Sequence, residues 1–326
     1  MNPQTVAAHF PIGRILGASR VGSLGFSGSI VFRIDTECGA FALKRISDQF
    51  PIERLPEIHR VLRFVVEHGC TSVASPWLDK LGNSTVATAD GNWELTRWMP
   101  GAADFNQRPS TARLHDMMRQ VAHFHNLTAE YSRHWAPSPG IAERLRELNI
   151  VAMLVPKMQL VVPPPSLAHP DLGSWFQRAL GRLPTFIDRL IFTAPTDASA
   201  DFCLQPVVRD LWHDHVLFDG ESVSGLIDFH AMRVDTPLLD VARLVGSLKM
   251  DGEPPWNAAL QVYSRFRELP NHADVWGRWL HACGVALAIV NWIKWISVEK
   301  RCFQDWPAVV RRINTLVLEL ERIDEE

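Results

Sequence analysis

The chain has 326 residues, 47% of them hydrophobic and 21% charged, with 33 Lys and Arg against 36 Asp and Glu for a formal net charge of −3. That apolar content supports a large core and excludes a disordered chain, and the near-neutral charge excludes a general nucleic-acid binder, which presents a basic surface. At roughly 100–200 residues per domain, the length points to two domains or one domain in two lobes.

Taken in chain order, the first hundred residues read mostly as strand. Ser29–Ile34 and Ala40–Lys44 are short, β-branched or aromatic, and separated by the turn-like Asp35–Gly39. A helix follows: Ile58, Val61, Leu62, Val65 and Val66 share one face, Pro56 suits its first turn and Gly69 its stop. Ser84–Thr88 and Trp93–Trp98 flank Asp90-Gly91, a hairpin signal. Beyond Met99-Pro100-Gly101 the pattern turns helical. Leu114, Met117, Met118, Val121, Phe124 and Leu127 mark one helix, and Trp175–Ile191 a second that Pro184 bends or divides. Val161–Pro165 reads as a stiff, extended connector. Asp305 caps a last helix with Pro307 in its first turn and a stripe from Val309 to Ile323. The organisation expected is a β-rich lobe over residues 1–98 and a larger, mostly helical lobe over 99–326.

The five cysteines are scattered and form no C-x-x-C pair, so neither a disulfide framework nor a thiolate zinc site is expected. The first residues lack the basic and apolar regions of a signal peptide. The longest clean apolar run, Ala282–Ile293, falls short of the roughly 20 residues a spanning helix needs. These features point to a soluble, cytoplasmic protein, with no nucleic-acid, membrane or obligate protein partner indicated.

Val207–Leu244 is the most informative segment. It offers Asp210, His213, Asp214 and His215, then a strand Val216–Phe218, a turn at Asp219-Gly220, and a second strand Val223–Ile227 that delivers Asp228. A hairpin of this kind holds Asp210 and Asp228 near the same end of neighbouring strands. Two carboxylates so placed suit a proton acceptor and a ligand for Mg²⁺, a hard cation that favours oxygen. Upstream, Gly22, Gly25, Ser27 and Gly28 lie in a glycine- and serine-rich stretch that reads either as a flexible turn or as a backbone cradle for phosphates. Lys44 reads either as a solvated strand lysine or as a phosphate contact.

The segment resembles the aminoglycoside phosphotransferase and choline kinase-like family, which shares the protein-kinase fold and carries H-G-D-x-x-x-x-N followed by a hairpin and I-D-F. Here Val208-Arg209-Asp210 stands at H-G-D, His215 at the Asn position, and Ile227-Asp228-Phe229 at I-D-F. Asp235-Thr236-Pro237-Leu238-Leu239-Asp240-Val241-Ala242 is similar to the family's D-P-x-x-D-L-A, and Phe41-Ala42-Leu43-Lys44 to the kinase strand V-A-I-K. The resemblance implies an α+β, two-lobed kinase-like fold that moves the γ-phosphoryl group of ATP to a hydroxyl of a small-molecule acceptor. It implies Asp210 as the catalytic base and Asp228 as the ligand for Mg²⁺ or Mn²⁺. Lys44 and the Gly22–Gly28 loop would hold phosphates, and backbone from Leu95 through Arg97 to Trp98 would meet the adenine edge.

Three departures qualify it. His215 replaces an oxygen ligand with imidazole, which prefers softer metals, so it binds Mn²⁺, holds a water on Mg²⁺, or only hydrogen-bonds to Asp210. Val208 replaces the bracing histidine. The glutamate that pairs with the strand lysine would fall near His59 or Arg60, and Glu57 is the nearest acid. These departures motivate the alternative reading, a catalytically inactive pseudokinase that serves as a nucleotide-responsive binding module.

Overall fold

A computed structural model of the chain describes residues 2–21, 29–158, 170–195, 201–303 and 305–325. The chain begins with helix α1 (Pro3–Ala7), then strands β1 (Ile15–Arg20), β2 (Ile30–Thr36) and β3 (Gly39–Arg45). Helix α2 (Leu55–Glu67) precedes β4 (Val86–Thr88) and β5 (Gly91–Arg97). Helix α3 (Thr111–Tyr131), strand β6 (His134–Pro137), helices α4 (Pro139–Met158) and α5 (Pro170–Phe192), and strand β7 (Asp201–Val207) follow. The hairpin β8 (Val216–Asp219) and β9 (Ser222–Leu226), the short strand β10 (Arg233–Asp235), and helices α6 (Leu238–Val245), α7 (Trp256–Ser264), α8 (Ala273–Ile293) and α9 (Trp306–Glu325) complete it.

The chain forms two compact units, and neither ends where the chain leaves β5. The first comprises Met1–Arg133, Gln205–Val234 and Ser247–Glu268, and so takes in α3 and the β8–β9 hairpin along with the N-terminal sheet. Its five-stranded sheet runs β1-β2-β3-β5-β4, each neighbouring pair antiparallel. Alternation sends Ile34, Phe41, Leu43, Trp93 and Leu95 into a core shared with Val6, Phe10 and Ile12. Burying a side chain of this size contributes about 1.5–3 kcal/mol relative to leaving it in water. Helix α2 begins with Pro56 in its first turn, buries Ile58, Val61, Leu62 and Val65, and ends before Gly69, whose φ of +100° only glycine adopts freely.

Helix α3 anchors the hairpin. Ser110 caps it, its hydroxyl accepting from the Arg113 amide at 3.1 Å. Arg113 is fully buried, pairs with Asp104 at 2.9 Å, donates to the Gly220 carbonyl at 2.9 Å in the hairpin turn, and lies over the Phe218 ring. Asp116 accepts from the Val223 amide at 2.7 Å. Gly101 has φ +92°, and a Cβ there would stand 2.3 Å from the Phe218 carbonyl oxygen, so the close Ala102–Phe218 bridge requires glycine.

The second unit comprises His134–Leu204, Asp235–Gly246 and Leu269–Glu326 and is mostly helical. Its core is built from α4, α5, α6, α8 and α9. Pro184 lies within α5 without dividing it, and Asp305 caps α9 as expected, accepting from the Ala308 amide at 2.9 Å. Helix α8 and the π turn after it (Lys294–Val298) give a stretch longer than the apolar run suggested. Residues 273–298 are long and apolar enough to cross a membrane by length and composition, yet 56% of the relevant window is buried against protein, as in a core helix. Helix α4 carried no pattern read from the sequence, and the connector expected at Val161–Pro165 lies outside the described residues.

Candidate active site

The site is built on three pieces of the first unit: strands β3 and β5, the loop before β8, and the turn after β9. On β3, Lys44 lies opposite Glu94 of β5 in the antiparallel register, so the two side chains share one face of the sheet. Lys44 reaches Asp228, its Nζ 2.8 Å from Oδ1, with 16% of the lysine side chain and 42% of the aspartate side chain exposed. An ion pair this open contributes on the order of 1 kcal/mol or less. It is weak enough to be exchanged when a ligand of higher charge enters.

Glu57 does not pair with Lys44. It lies in the first turn of α2, where it accepts from Arg60 one turn later and from the Tyr131 hydroxyl at 2.9 Å. At the position where the family resemblance puts a helix glutamate stands His59, and it points inward. Its Nε2 is 2.9 Å from Glu94 Oε2, both residues buried. The other Glu94 oxygen, Oε1, lies 2.8 Å from Nε2 of His230. Burial alone would push the Glu94 carboxyl up, but His230, the His59 hydrogen bond and Lys44 outweigh it and hold the group well below the usual carboxylate range. This buried carboxylate between two imidazoles was missed in the sequence, because its members are 35 and 136 residues apart and share no motif.

The loop before β8 turns sharply. Arg209 adopts φ +69°, a left-handed conformation that is costly for any residue with a Cβ. It occupies the glycine of the family's H-G-D pattern, so the backbone retains a shape that glycine adopts more easily. Val208 is fully buried and packs where that pattern has a polar histidine. After Asp210 a single 3₁₀ turn, His213–His215, leads into β8.

His215 sits between the two aspartates. Its Nδ1 is 2.8 Å from the Asp210 carbonyl oxygen, and its Nε2 is 3.8 Å from Asp228 Oδ2. The Trp212 indole N–H donates to the same Nε2 at 3.1 Å. An indole nitrogen can only donate, so Nε2 accepts, and the ring proton is on Nδ1, directed at the Asp210 carbonyl. Both nitrogens are therefore engaged, and in this arrangement His215 braces the Asp210 backbone. Its only lone pair is held by Trp212.

Asp228 follows a pinned strand. The Leu226 amide donates to the Ser72 carbonyl at 2.6 Å, the Leu226 carbonyl accepts from the Ala74 amide at 3.2 Å, and the Ile227 amide donates to the His215 carbonyl at 3.1 Å. Asp228 then takes φ +62°, which turns its side chain toward Lys44. Burial opposes its ionisation, but the Lys44 ammonium prevails and the carboxyl is held below its ordinary value. It is an oxygen donor, ionised and partly open, which suits a hard divalent cation. Among the described residues no group of three or more His, Cys, Asp and Glu side chains forms a metal cage. Magnesium sites of this chemistry use one or two carboxylates and take their remaining oxygens from phosphates and water.

Of the remaining residues singled out in the sequence, Leu95 is a core residue, fully buried, and its carbonyl accepts from the Trp77 amide at 2.6 Å. Arg97 closes β5 opposite Phe41, and the Trp98 amide donates to the Ala40 carbonyl at 3.0 Å. The main-chain groups of Leu95 and Trp98 that these bonds use are committed to the sheet and to Trp77. Gly22, Gly25, Ser27 and Gly28 lie outside the described residues.

A family profile, that of the phosphotransferase enzyme family, matches residues 20–279, a span that contains every residue of this site. The chain belongs to that family. No curated protein matches it in sequence. Among solved structures, the aminoglycoside phosphotransferase of Alicyclobacillus acidocaldarius is 16% identical with a TM-score of 0.57, covering 100% of this chain and 94% of its own. Spectinomycin phosphotransferase APH(9)-Ia, solved with ADP and spectinomycin, is 11% identical with a TM-score of 0.64, covering 99% and 95%. An amicoumacin kinase, hAmiN, solved with AMP-PNP, Ca²⁺ and Ami is 16% identical with a TM-score of 0.58, covering 99% and 92%. These likenesses establish the two-lobed, protein-kinase-like α+β fold for this phosphotransferase-family chain, with a β-rich N-terminal lobe and a larger helical C-terminal lobe.

Proposed function

We propose that the chain is an ATP-dependent phosphotransferase that moves the γ-phosphoryl group to a hydroxyl of a small-molecule acceptor. The observation that carries this reading is the 2.8 Å Lys44–Asp228 pair, which joins a strand lysine to the aspartate of I-D-F across 184 residues of sequence, beside the loop that presents Asp210. The structural neighbours solved with nucleotides and antibiotics support the substrate class. Phosphoryl transfer asks little covalent chemistry of a protein and depends on alignment and charge neutralisation. Lys44 holds phosphate oxygens together with the Gly22–Gly28 loop. Asp228 binds Mg²⁺ or Mn²⁺, which supplies Lewis-acid neutralisation of the phosphates when bound. Asp210 orients the acceptor hydroxyl and takes its proton as the O–P bond forms. It need not be unusually basic, because the hydroxyl turns acidic only late in transfer. His215, through the Asp210 carbonyl, fixes the backbone from which that carboxylate projects. We keep the adenine-edge contact on the backbone from Leu95 through Arg97 to Trp98.

Calorimetric titration with ATP and each metal tests the reading, together with thermal shift, because a ligand that binds only the native state raises the melting temperature. Asp228→Asn should lose metal-dependent nucleotide binding, and Lys44→Ala should weaken nucleotide binding while the protein stays folded. No binding with either metal would refute the proposal. Binding without turnover, in acceptor screens and in slow ATP hydrolysis, would favour the pseudokinase.

A further inference from the structure

We infer that Glu94 is a positioning residue for phosphoryl transfer, holding from strand β5 the turn that carries Asp228. The inference rests on the proposed phosphotransferase reading and deepens it. Lys44 has no acid partner on α2, since Glu57 is bound to Arg60 and Tyr131. The buried acid beside Lys44 is instead its cross-strand neighbour Glu94, 6% exposed.

The carboxylate makes two connections that matter for the reaction. His59 ties it to α2 at 2.9 Å, and His230 ties it at 2.8 Å to the segment two residues beyond Asp228. Because Asp228 is itself bound to Lys44, the contacts close a ring: Lys44, Asp228, Phe229, His230, Glu94, and back across the strand pair to Lys44. The Phe50 ring, 4.9 Å from that of His230, packs against the imidazole.

This ring explains how a left-handed, non-glycine Asp228 is held in place. Residues in such conformations persist only where their surroundings over-determine them. On one side Ser72, Ala74 and His215 fix the approach to Asp228. On the other side, His230 on Glu94 is the side-chain tie of the segment to the sheet, beside the Met232 amide on the Phe229 carbonyl at 2.9 Å and Arg54 on the Met232 carbonyl at 2.7 Å. Removing the carboxylate takes away the tie between the exit of the turn and the sheet while Lys44 and Asp228 remain. Glu94 therefore acts on the metal-binding carboxylate through His230 and is not itself a group that touches the reacting atoms.

The test uses the full chain and two independent readouts. With the protein alone, Glu94→Gln should raise amide hydrogen exchange over residues 228–232 at least tenfold, with β3 and the β8–β9 hairpin unchanged. In steady-state ATP hydrolysis with Mg²⁺ and no added acceptor, kcat should fall at least tenfold. Adding His59→Glu to Glu94→Gln returns a carboxylate to the same cluster from α2 and should recover protection and part of kcat, which a purely structural loss would not permit. Should Glu94→Gln fail to fold, His230→Leu cuts the same link and leaves His59 on Glu94, with the same expected exchange and kcat losses. Wild-type protection over 228–232 in either folded variant overturns the inference, as does wild-type kcat. If the wild-type protein binds no nucleotide, the phosphotransferase reading falls and this role for Glu94 falls with it. The exchange experiment still shows whether the ring holds the turn.

Discussion

Two regions of the molecule use the same chemical pair for different ends. In the first unit, His230 meets Glu94 at 2.8 Å; in the second, His281 of α8 meets Glu319 of α9 at 2.9 Å. Distances and burial hardly distinguish them. Their surroundings do. The Glu94 carboxylate is shared between two histidines from different elements, one of them two residues beyond the left-handed, non-glycine Asp228. Glu319 is shared between His281 and Arg322, one turn along its own helix, and all three sit in regular helices. The packing there is close: a Cβ on Gly246 would stand 2.1 Å from the His281 ring. A histidine–carboxylate pair by itself marks nothing, whereas one that restrains strained backbone beside an exposed ion pair marks a site.

The largest effect that separates the two regions should come from Asp210→Asn. The substitution keeps size and hydrogen-bonding groups and removes the charge that accepts the proton in the proposed role. Since the role is confined to the transition state, kcat should fall by at least ~10²-fold while ATP affinity stays near wild type. Steady-state kinetics beside calorimetric ATP titration check this. Wild-type turnover in Asp210→Asn would remove the central residue of the proposal.

Glu319→Gln should do the reverse and cost stability without touching the reaction. Burial opposes ionisation of Glu319, but His281 and Arg322 prevail and bring its carboxyl down to about 2, against 4.5 for a free one. A carboxyl with a lowered folded-state value stabilises the fold fully above the unfolded value, and the contribution is lost as pH falls from about 4.5 toward 2. That shift corresponds to roughly 3 kcal/mol at neutral pH. Denaturant unfolding should therefore show Glu319→Gln less stable at pH 7 by a value of this order, with the difference shrinking below pH 4.5. An equal gap at pH 7 and pH 3 would contradict the assignment.

What the sequence made legible follows the same division. Local patterns carried the hairpins, α2 and its stop at Gly69, the Asp305 cap, and the Asp210–Asp228 segment, because each rests on residues close in the chain. The Arg113 anchor, the Glu94 cluster and the lock on His215 were not legible. Each depends on side chains brought together by packing across tens of residues or more, and no periodicity records that. Leu95 shows the same limit: its place in a strand was clear, but only the fold shows that its carbonyl is taken by the Trp77 amide. Helix α4 escaped because its apolar residues do not form one clean stripe; Ile150, Met153 and Leu154 remain exposed.

The smallest expected effect tests His215, one of the places where the site departs in chemistry from its family's pattern. Trp212→Phe keeps an aromatic ring beside His215 but removes the indole N–H that holds Nε2. One partly buried hydrogen bond is lost, so stability should fall by about 1 kcal/mol. The change also frees a lone pair 3.8 Å from Asp228 Oδ2, on the side of the ring away from the Asp210 carbonyl. Imidazole is a better ligand for Mn²⁺ than for Mg²⁺. The nucleotide-dependent thermal shift should thus move a few-fold in favour of Mn²⁺ in Trp212→Phe, read as the ratio of metal concentrations giving half the shift. An unchanged ratio alongside the expected loss of stability would confine His215 to bracing the Asp210 backbone, and would leave Asp228 as the site's metal-binding side chain.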